Sequence, residues 1–273
     1  MLKRLVIVAC LLAPSLAGAA ELPADIKARG TLIAAIVPNY PPLEMKDPAT
    51  GALTGFDVAL GQALAAKLGL KMQWQETSFE AMLSSLKTGR VDIILSGMSD
   101  LPARRDGASF IDYLRSGTQF FTQASSAPEF PTRDTLCGRK VGASRRTSLP
   151  AEIARFSDTA CVAAGKPAIV VVGTEGSADA RTQLRQGRID AAMQGSETLP
   201  YIMAQEPNTY ALVGEPTRWT LMGIATNKDA PGLRDALAQA LRDLIADGTY
   251  AKLLAAWSLS PNAVSEVAID AGQ

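Results

Sequence analysis

The chain has 273 residues with 27 basic and 27 acidic side chains, so no basic surplus argues for a nucleic-acid partner. It contains no histidine, which excludes histidine acid–base chemistry, triads with histidine and histidine-ligated metal; no metal site or cofactor is expected. The length accommodates two α/β lobes, each with its own core.

Residues 1–20 read as a secretory signal peptide. Lys3 and Arg4 precede an apolar run from Leu5, and the segment closes on the small residues Ala17, Gly18, Ala19 and Ala20. The run is too short, and broken by Pro14, for a membrane span. Ile7-Val8-Ala9-Cys10 has the residue types of a lipoprotein box. Little apolar chain precedes Cys10 and a better site follows, so ordinary cleavage after Ala19 or Ala20 is expected, into the periplasm. Loss of Lys3 and Arg4 leaves 27 − 2 = 25 basic against 27 acidic residues, a net charge of −2. Cys10 leaves with the signal, so Cys137 and Cys161 are the remaining pair. Export favours a disulfide between them, contributing about 3 kcal/mol by loop closure, over two free thiols.

Residues 23–30 read as a short helix stopped by Gly30, and 31–37 (TLIAAIV) as a buried strand. A proline-rich turn at 38–42 and a polar hairpin-like loop at 47–55 follow. A helix at 56–68 places Val58, Leu60, Leu64 and Leu68 near one face. A strand at 71–75, a helix from an N-cap at Ser78 to Thr88 and a strand at 91–95 complete β-α-β-α-β. The short connections imply a parallel sheet. Segments 110–117 and 119–123 lead away from this lobe, and 125–131 is loop-like. A strand at 140–143 opens a second sheet, followed by helix 150–156, strand 168–173, helix 177–186, strand 189–193 and helix 197–204. A strand-like run at 209–213 leaves the second lobe.

Strand 221–226 and helices 231–246 and 248–257 have no sheet of their own and must return to the first lobe. Residues 258–273 read as a loosely held tail. Lobe 1 is therefore expected at 21–118 and 214–273, and lobe 2 at 119–213. The chain crosses near 115–122 and 210–218, an arrangement that hinges a cleft.

LKTGRVDIILSG at 86–97 is echoed by LRQGRIDAAMQG at 184–195. Each reads as a helix end, a glycine cap, a buried strand and a glycine-bearing turn, one per lobe. Ligands of open α/β sheets bind beyond the carboxyl ends of the strands, so these two turns are candidate ligand contacts. Ser99 precedes an expected helix start with Pro102 in its first turn, where free N–H groups favour an anion. Arg104 can hold a carboxylate by two parallel hydrogen bonds, and Gly97 permits close backbone approach. The alternative is a capping serine and a solvated arginine. Arg145, Arg146, Thr147 and Ser148 offer a second anion site from lobe 2, or a solvated basic turn. Tyr40 and Phe79 sit at strand ends where they could wall a ligand, or fill core. Glu197, beside Gln194 and Ser196, could pair with a ligand ammonium, or complement a helix dipole.

The chain resembles the polar amino-acid-binding family of periplasmic solute-binding proteins, the receptors of ABC importers. The motifs are Tyr40-Pro41-Pro42-Leu43-Glu44, Gly55-Phe56-Asp57-Val58, Thr77-Ser78-Phe79, Gly89-Arg90-Val91-Asp92, Ser96-Gly97-Met98-Ser99 with Arg104, Phe110-Ile111-Asp112-Tyr113, Gly187-Arg188-Ile189-Asp190 and Asp247-Gly248-Thr249-Tyr250. The resemblance covers nearly all of the chain after the signal. It implies a two-lobed α/β periplasmic-binding-protein-like fold, a two-strand hinge and a ligand cleft between the lobes. It also implies that Arg104 grips an α-carboxylate, helped by Ser99 and the backbone at Gly97, that Thr147 meets the same group, and that Tyr40 and Phe79 wall the cleft. Met98 and Gln194 complete the candidate set from the two turns.

Three departures bear on the ligand. Gly195 stands where many members carry an ammonium-binding Asp, Val37 where some carry another Asp, and Arg146 where a Gly is common. The expected function is that of a monomeric importer receptor for a small carboxylate, an amino acid, delivered to ABC transporter membrane subunits. Lost carboxylates fit an acidic amino acid, or a carboxylate without an ammonium, better than a cationic one. The alternatives are an exported enzyme like cyclohexadienyl dehydratase, with Glu197 the nearest acid, and a ligand sensor for a separate membrane partner.

Overall fold

The structure is a computed structural model that describes residues 22–273; the signal segment expected at 1–20 lies outside the described residues. Helix α1 (Ala24–Arg29) leads into β1 (Thr31–Ile36), in which Leu32, Ala34, Ala35 and Ile36 are buried in the first lobe. Strands β2 (Asn39–Tyr40), β3 (Glu44–Lys46) and β4 (Leu53–Thr54) form a small antiparallel sheet, with β2 inside the expected proline-rich turn and the loop at 47–55 joining β3 to β4 as a hairpin. Helix α2 (Phe56–Lys67), strand β5 (Lys71–Glu76), helix α3 (Phe79–Lys87) and strand β6 (Ile93–Ile94) complete the β-α-β-α-β pattern. Both β5 and β6 pair with β1 in parallel, as short crossovers require. Strand β6 is shorter than expected because the chain turns into the cleft after Ile94.

Residues 108–123 form one strand rather than two, β7 (Ala108–Gln123). Then come β8 (Lys140–Ser144), α4 (Leu149–Phe156), β9 (Val170–Thr174), α5 (Ser177–Arg185), β10 (Ala191–Gly195), α6 (Leu199–Gln205) and β11 (Tyr210–Val213). Strand β12 (Trp219–Asn227) and helices α7 (Pro231–Ala246) and α8 (Thr249–Ala256) follow. The strand order is β5-β1-β6-β12-β7-β10-β8-β9, with β11 also on β7. The second lobe's strands form a second sheet that is joined to the first lobe's through the shared long strand β7. Strand β12 pairs antiparallel with β6 and β7, and α7 and α8 pack on α2.

The duplicated Gly-Arg-x-Asp motif has one structural job in each lobe. The Asp92 carboxylate accepts from Ile33 N at 2.8 Å, and Asp92 N donates to Ile33 O at 2.8 Å. Asp190 does the same to Lys140, at 2.7 and 2.8 Å. Each Asp thus fastens the end of a helix to the first strand of its lobe, which aims the following turn at the cleft.

In the first core Phe56 stacks on Tyr113 with ring centroids 6.2 Å apart, and Tyr250 donates to Tyr113 O at 2.7 Å. Along α7, Leu233, Leu237, Leu241 and Leu244 recur at helical spacing and are all buried. Phe120, Leu136, Val141 and Ile153 fill the second core. The Cys137–Cys161 disulfide is present, closing a sequence separation of 24 beside that core.

Residues 258–273 are docked, contrary to the loosely held tail expected. Leu259 is fully buried, Asn262 donates to Arg115 O at 2.9 Å, and Asp112 N donates to Ala268 O at 3.0 Å. Asp270 accepts from Phe110 N and Ser109 Oγ, both at 2.8 Å, and Gly272 N donates to Asp100 at 2.7 Å. The first half of β7 has β12 on one side only, so the tail covers backbone groups that would otherwise form an open edge. Asp270→Ala leaves Phe110 N and Ser109 Oγ without their acceptor and should cost about 1–3 kcal/mol, measured as a lower midpoint in urea with m unchanged.

Candidate ligand-binding site

A cavity of about 270 Å³ lies between the lobes. Its walls include Tyr40, Phe79, Gly97, Ser99 and Arg104 from the first lobe, Arg146, Thr147 and Gly195 from the second, and Ser116, Thr118 and Thr220 from the crossing strands.

The turn after β6 builds the first wall. Gly97 has φ 53°, a conformation costly for residues with a Cβ, and lies against the Tyr40 ring. The turn sends Met98 into the core, so Met98 does not line the cavity. The expected helix start is a single 3-10 turn, Pro102–Arg104, too short to offer a row of free N–H groups. Anion attraction here rests on Arg104 itself. Arg104 Nη1 donates to Ser99 O at 2.7 Å, and the guanidinium lies 5.6 Å from the centre of the Phe79 ring. It forms no ion pair among the described residues. Burial lowers its pKa, which Asp100 partly offsets. A half-buried guanidinium without an ion pair among the described residues can hold an anion by paired hydrogen bonds.

The backbone N–H of Gly97, which the resemblance assigns to the ligand, is already taken. It donates to Asp57 Oδ2 at 2.8 Å, and Tyr113 donates to the same oxygen at 2.9 Å. Glu44, a cavity residue only 1% exposed, accepts from Ser96 Oγ at 2.8 Å. Glu44 Oε2 and Asp57 Oδ1 are buried without a donor. A proton on Glu44 satisfies both, since two carboxylates this close do not both ionise. Burial first, then Asp57, raises the Glu44 pKa well above its ordinary value, while burial brings Asp57 to about 6.

On the opposite wall Arg146 pairs with Glu80 of α3 across the cleft. The cation that the sequence seemed to add is thereby neutralised. Arg145 is paired too, with Glu175 at 2.9 Å. Thr147 lines the cavity but its hydroxyl donates to Ser144 O at 2.9 Å. Gln194 is buried behind the wall, held by Arg181 at 3.2 Å and by Thr198. Glu197 is 2% exposed and also lies behind the wall. It accepts from Tyr40 Oη at 2.8 Å and from Ser116 Oγ, so it does not reach a ligand directly. Burial raises its pKa to about 7, and these two hydrogen bonds oppose the rise.

Sequence reasoning missed Glu44, Ser116, Thr118 and Thr220. Ser116 and Thr118 carried a signal, as small polar residues inside a long apolar strand buried on both faces. Thr220 faces Ser116 only through strand pairing.

Two α/β lobes joined by paired crossing strands around a polar, arginine-bearing cleft define the class of two-lobed binding proteins. The family model for bacterial extracellular solute-binding proteins, family 3, matches residues 32–260. The arginine-binding protein ArgT of Corynebacterium glutamicum is 30% identical over 251 residues, which span 92% of this chain and 82% of that protein. A crystallised mutant of ArgBP from T. maritima superposes with a TM-score of 0.75 at 27% identity, covering 86% of this chain and 97% of that one. AncCDT-1, an ancestral amino acid-binding protein and precursor of cyclohexadienyl dehydratase, gives 0.74 at 27% identity over 85% of this chain and 97% of that one. The chain belongs to the bacterial extracellular solute-binding proteins, family 3. Among the described residues no helix is long and apolar enough to cross a membrane.

Glu197 gives the fold a pH dependence with a definite sign. Its ordinary pKa is 4.5, and in the folded chain about 7. Below pH 4.5 it is protonated in both states; between 4.5 and about 7 the unfolded chain has released a proton that the folded chain retains. Stability therefore falls as pH rises through that window and levels off above it. Asp57 and Asp112 are shifted in the same direction, to about 6 and about 7, so the test is a difference. Wild-type stability minus that of Glu197→Gln should fall by about 3 kcal/mol across the window, read from urea titrations of the ligand-free protein at successive pH values.

Proposed function

We propose that this chain is the extracytoplasmic receptor of an ABC importer, binding a small carboxylate, an amino acid, by closure of its lobes. The observation that carries the reading is Arg104, a half-buried guanidinium with no ion pair among the described residues, facing the cavity beside the Ser99 hydroxyl. The signal-like residues 1–20 and the disulfide fit an exported, periplasmic protein. The lobes, 21–118 with 214–273 and 119–213, turn about the crossing strands. Closure removes water around Arg104 and strengthens its attraction for the carboxylate. Arginine- and histidine-binding relatives support an amino-acid ligand. The cavity's other charges are paired or protonated, which favours a neutral or acidic amino acid over a cationic one.

One observation favours a second reading. A cyclohexadienyl-dehydratase-like enzyme needs a protonated carboxylic acid in the cleft, and Glu44, whose pKa burial and Asp57 raise well above its ordinary value, stands at the cavity wall. Its charged neighbour is the buried Asp57, which favours binding over catalysis. Turnover of prephenate or arogenate by the purified protein decides between the two.

Arg104→Ala should abolish stabilisation by amino acids in a thermal-shift panel while leaving the ligand-free melting point within a few degrees, since Arg104 makes only one side-chain hydrogen bond in the fold. Undiminished stabilisation of the variant would remove Arg104 from the site.

A further inference from the structure

The end of the cleft nearest the crossing strands has an unusual construction. Gly195 occupies the wall, and the space where its Cβ would stand is already filled. An added Cβ would lie 2.0 Å from Glu197 Oε1 and 2.4 Å from Tyr40 Oη. A side chain at 195 and the present position of Glu197 are therefore mutually exclusive. The missing side chain lets the Glu197 carboxylate fold back against the wall from behind.

Ionised, at a pH above its raised pKa of about 7, the carboxylate fixes which way two hydroxyl groups point. Tyr40 Oη donates to one of its oxygens and Ser116 Oγ to the other. Both residues line the cavity, and each hydroxyl has only one hydrogen to give. With those hydrogens directed at Glu197, the oxygens can meet a ligand only as acceptors. Beside them Thr220, the strand partner of Ser116, lines the cavity with a buried Oγ1 that has no hydrogen-bond partner. This end of the cleft thus presents acceptor oxygens, with the unsatisfied Thr220 hydroxyl buried at its edge, while Arg104 supplies the donors elsewhere in the cavity.

We propose that Glu197 is a specificity-determining positioning residue: by accepting the hydrogens of Tyr40 and Ser116 it makes this end of the cleft an acceptor cage that selects a carboxylate bearing an amino group over its 2-oxo analogue. The inference rests on the amino-acid-receptor reading above. An ammonium donates up to three hydrogen bonds and is attracted by the carboxylate one hydroxyl away. A 2-oxo group offers only lone pairs, which face the lone pairs of Tyr40 and Ser116 with nothing to share. Glu197 acts through these hydroxyls and does not touch the ligand itself.

The test is isothermal titration of the full mature protein. The probes are the L-amino acid that gives the largest thermal stabilisation and the 2-oxo acid with the same side chain. Wild type should bind the amino acid at least about tenfold more tightly, the worth of a charge-assisted hydrogen bond. In Glu197→Gln the amide must donate to one of the two hydroxyls, whose own hydrogen then turns into the cavity. Preference for the amino acid should fall to about threefold or less, or reverse. Ser116→Ala should weaken the amino acid about tenfold and leave the 2-oxo acid nearly unchanged. The double variant Gly195→Asp with Glu197→Ala moves the carboxylate from behind the wall onto it and should restore the preference for the amino acid, which a purely structural role for Glu197 does not predict. Equal binding of the two acids by wild type, or an unaltered ratio in folded Glu197→Gln and Ser116→Ala, overturns the proposal while leaving the receptor reading intact. Binding of no carboxylate in the panel overturns both.

Discussion

Strand β7 hydrogen-bonds to β12 along its first half, then to β10 and β11 along its second. The change of partner falls at Gly117 and Thr118, where Ser196 N donates to Gly117 O at 2.7 Å and Thr217 N to Thr118 O at 2.7 Å. Both lobes hang on this ladder, so its registry sets the distance between the two cleft walls. It also explains why Ser116, Thr118 and Thr220 are polar: they lie where the strands pass behind the cavity. The docked tail completes the same element by covering the edge of β7 that no strand reaches.

The cavity's electrostatics are arranged mostly out of the ligand's sight. Asp57 occupies the N–H of Gly97 and the hydroxyl of Tyr113, and with burial it raises the pKa of Glu44. The two buried acids resist carrying two charges, and the charge on Asp57 is satisfied in part by the turn that leads to Arg104. Desolvating that charge is costly and is offset by its two donors. The arrangement ties the geometry of the carboxylate-binding turn to the core of the first lobe. Arg104 is left as the unbalanced charge, which is what a receptor for an anionic group requires.

Contacts between the lobes draw on the same residues that line the cleft. Tyr40 reaches Glu197, Glu80 reaches Arg146, and Tyr201 contacts Met45 Sδ at 3.5 Å. The Glu80–Arg146 pair is partly exposed and worth little by itself. The Tyr40–Glu197 bond is part-buried and its carboxylate fully so, and breaking it would let water reach Glu197. Closure and ligand recognition are coupled because both use the Tyr40 hydroxyl.

The amino-acid sequence by itself determined the elements that local chemistry dictates. Helix α7 was legible from the spacing of its leucines, and the paired Gly-Arg-x-Asp stretches marked two strand ends at one cleft because each Asp binds its own lobe's first strand. Arg104 and Ser99 were legible as neighbours at the cleft because they share one short turn. What depended on residues far apart in the chain was not legible. The polar tail reads as loose until β7 is seen to need an edge partner. Arg146 reads as a cation facing the ligand until α3 brings Glu80 across the cleft. Gly195 reads as a lost carboxylate, and only the tertiary structure shows Glu197 filling the space it leaves. Local sequence specifies hydrogen-bonding potential; which donor meets which acceptor is decided when packing removes water and forces every buried polar group to find a partner.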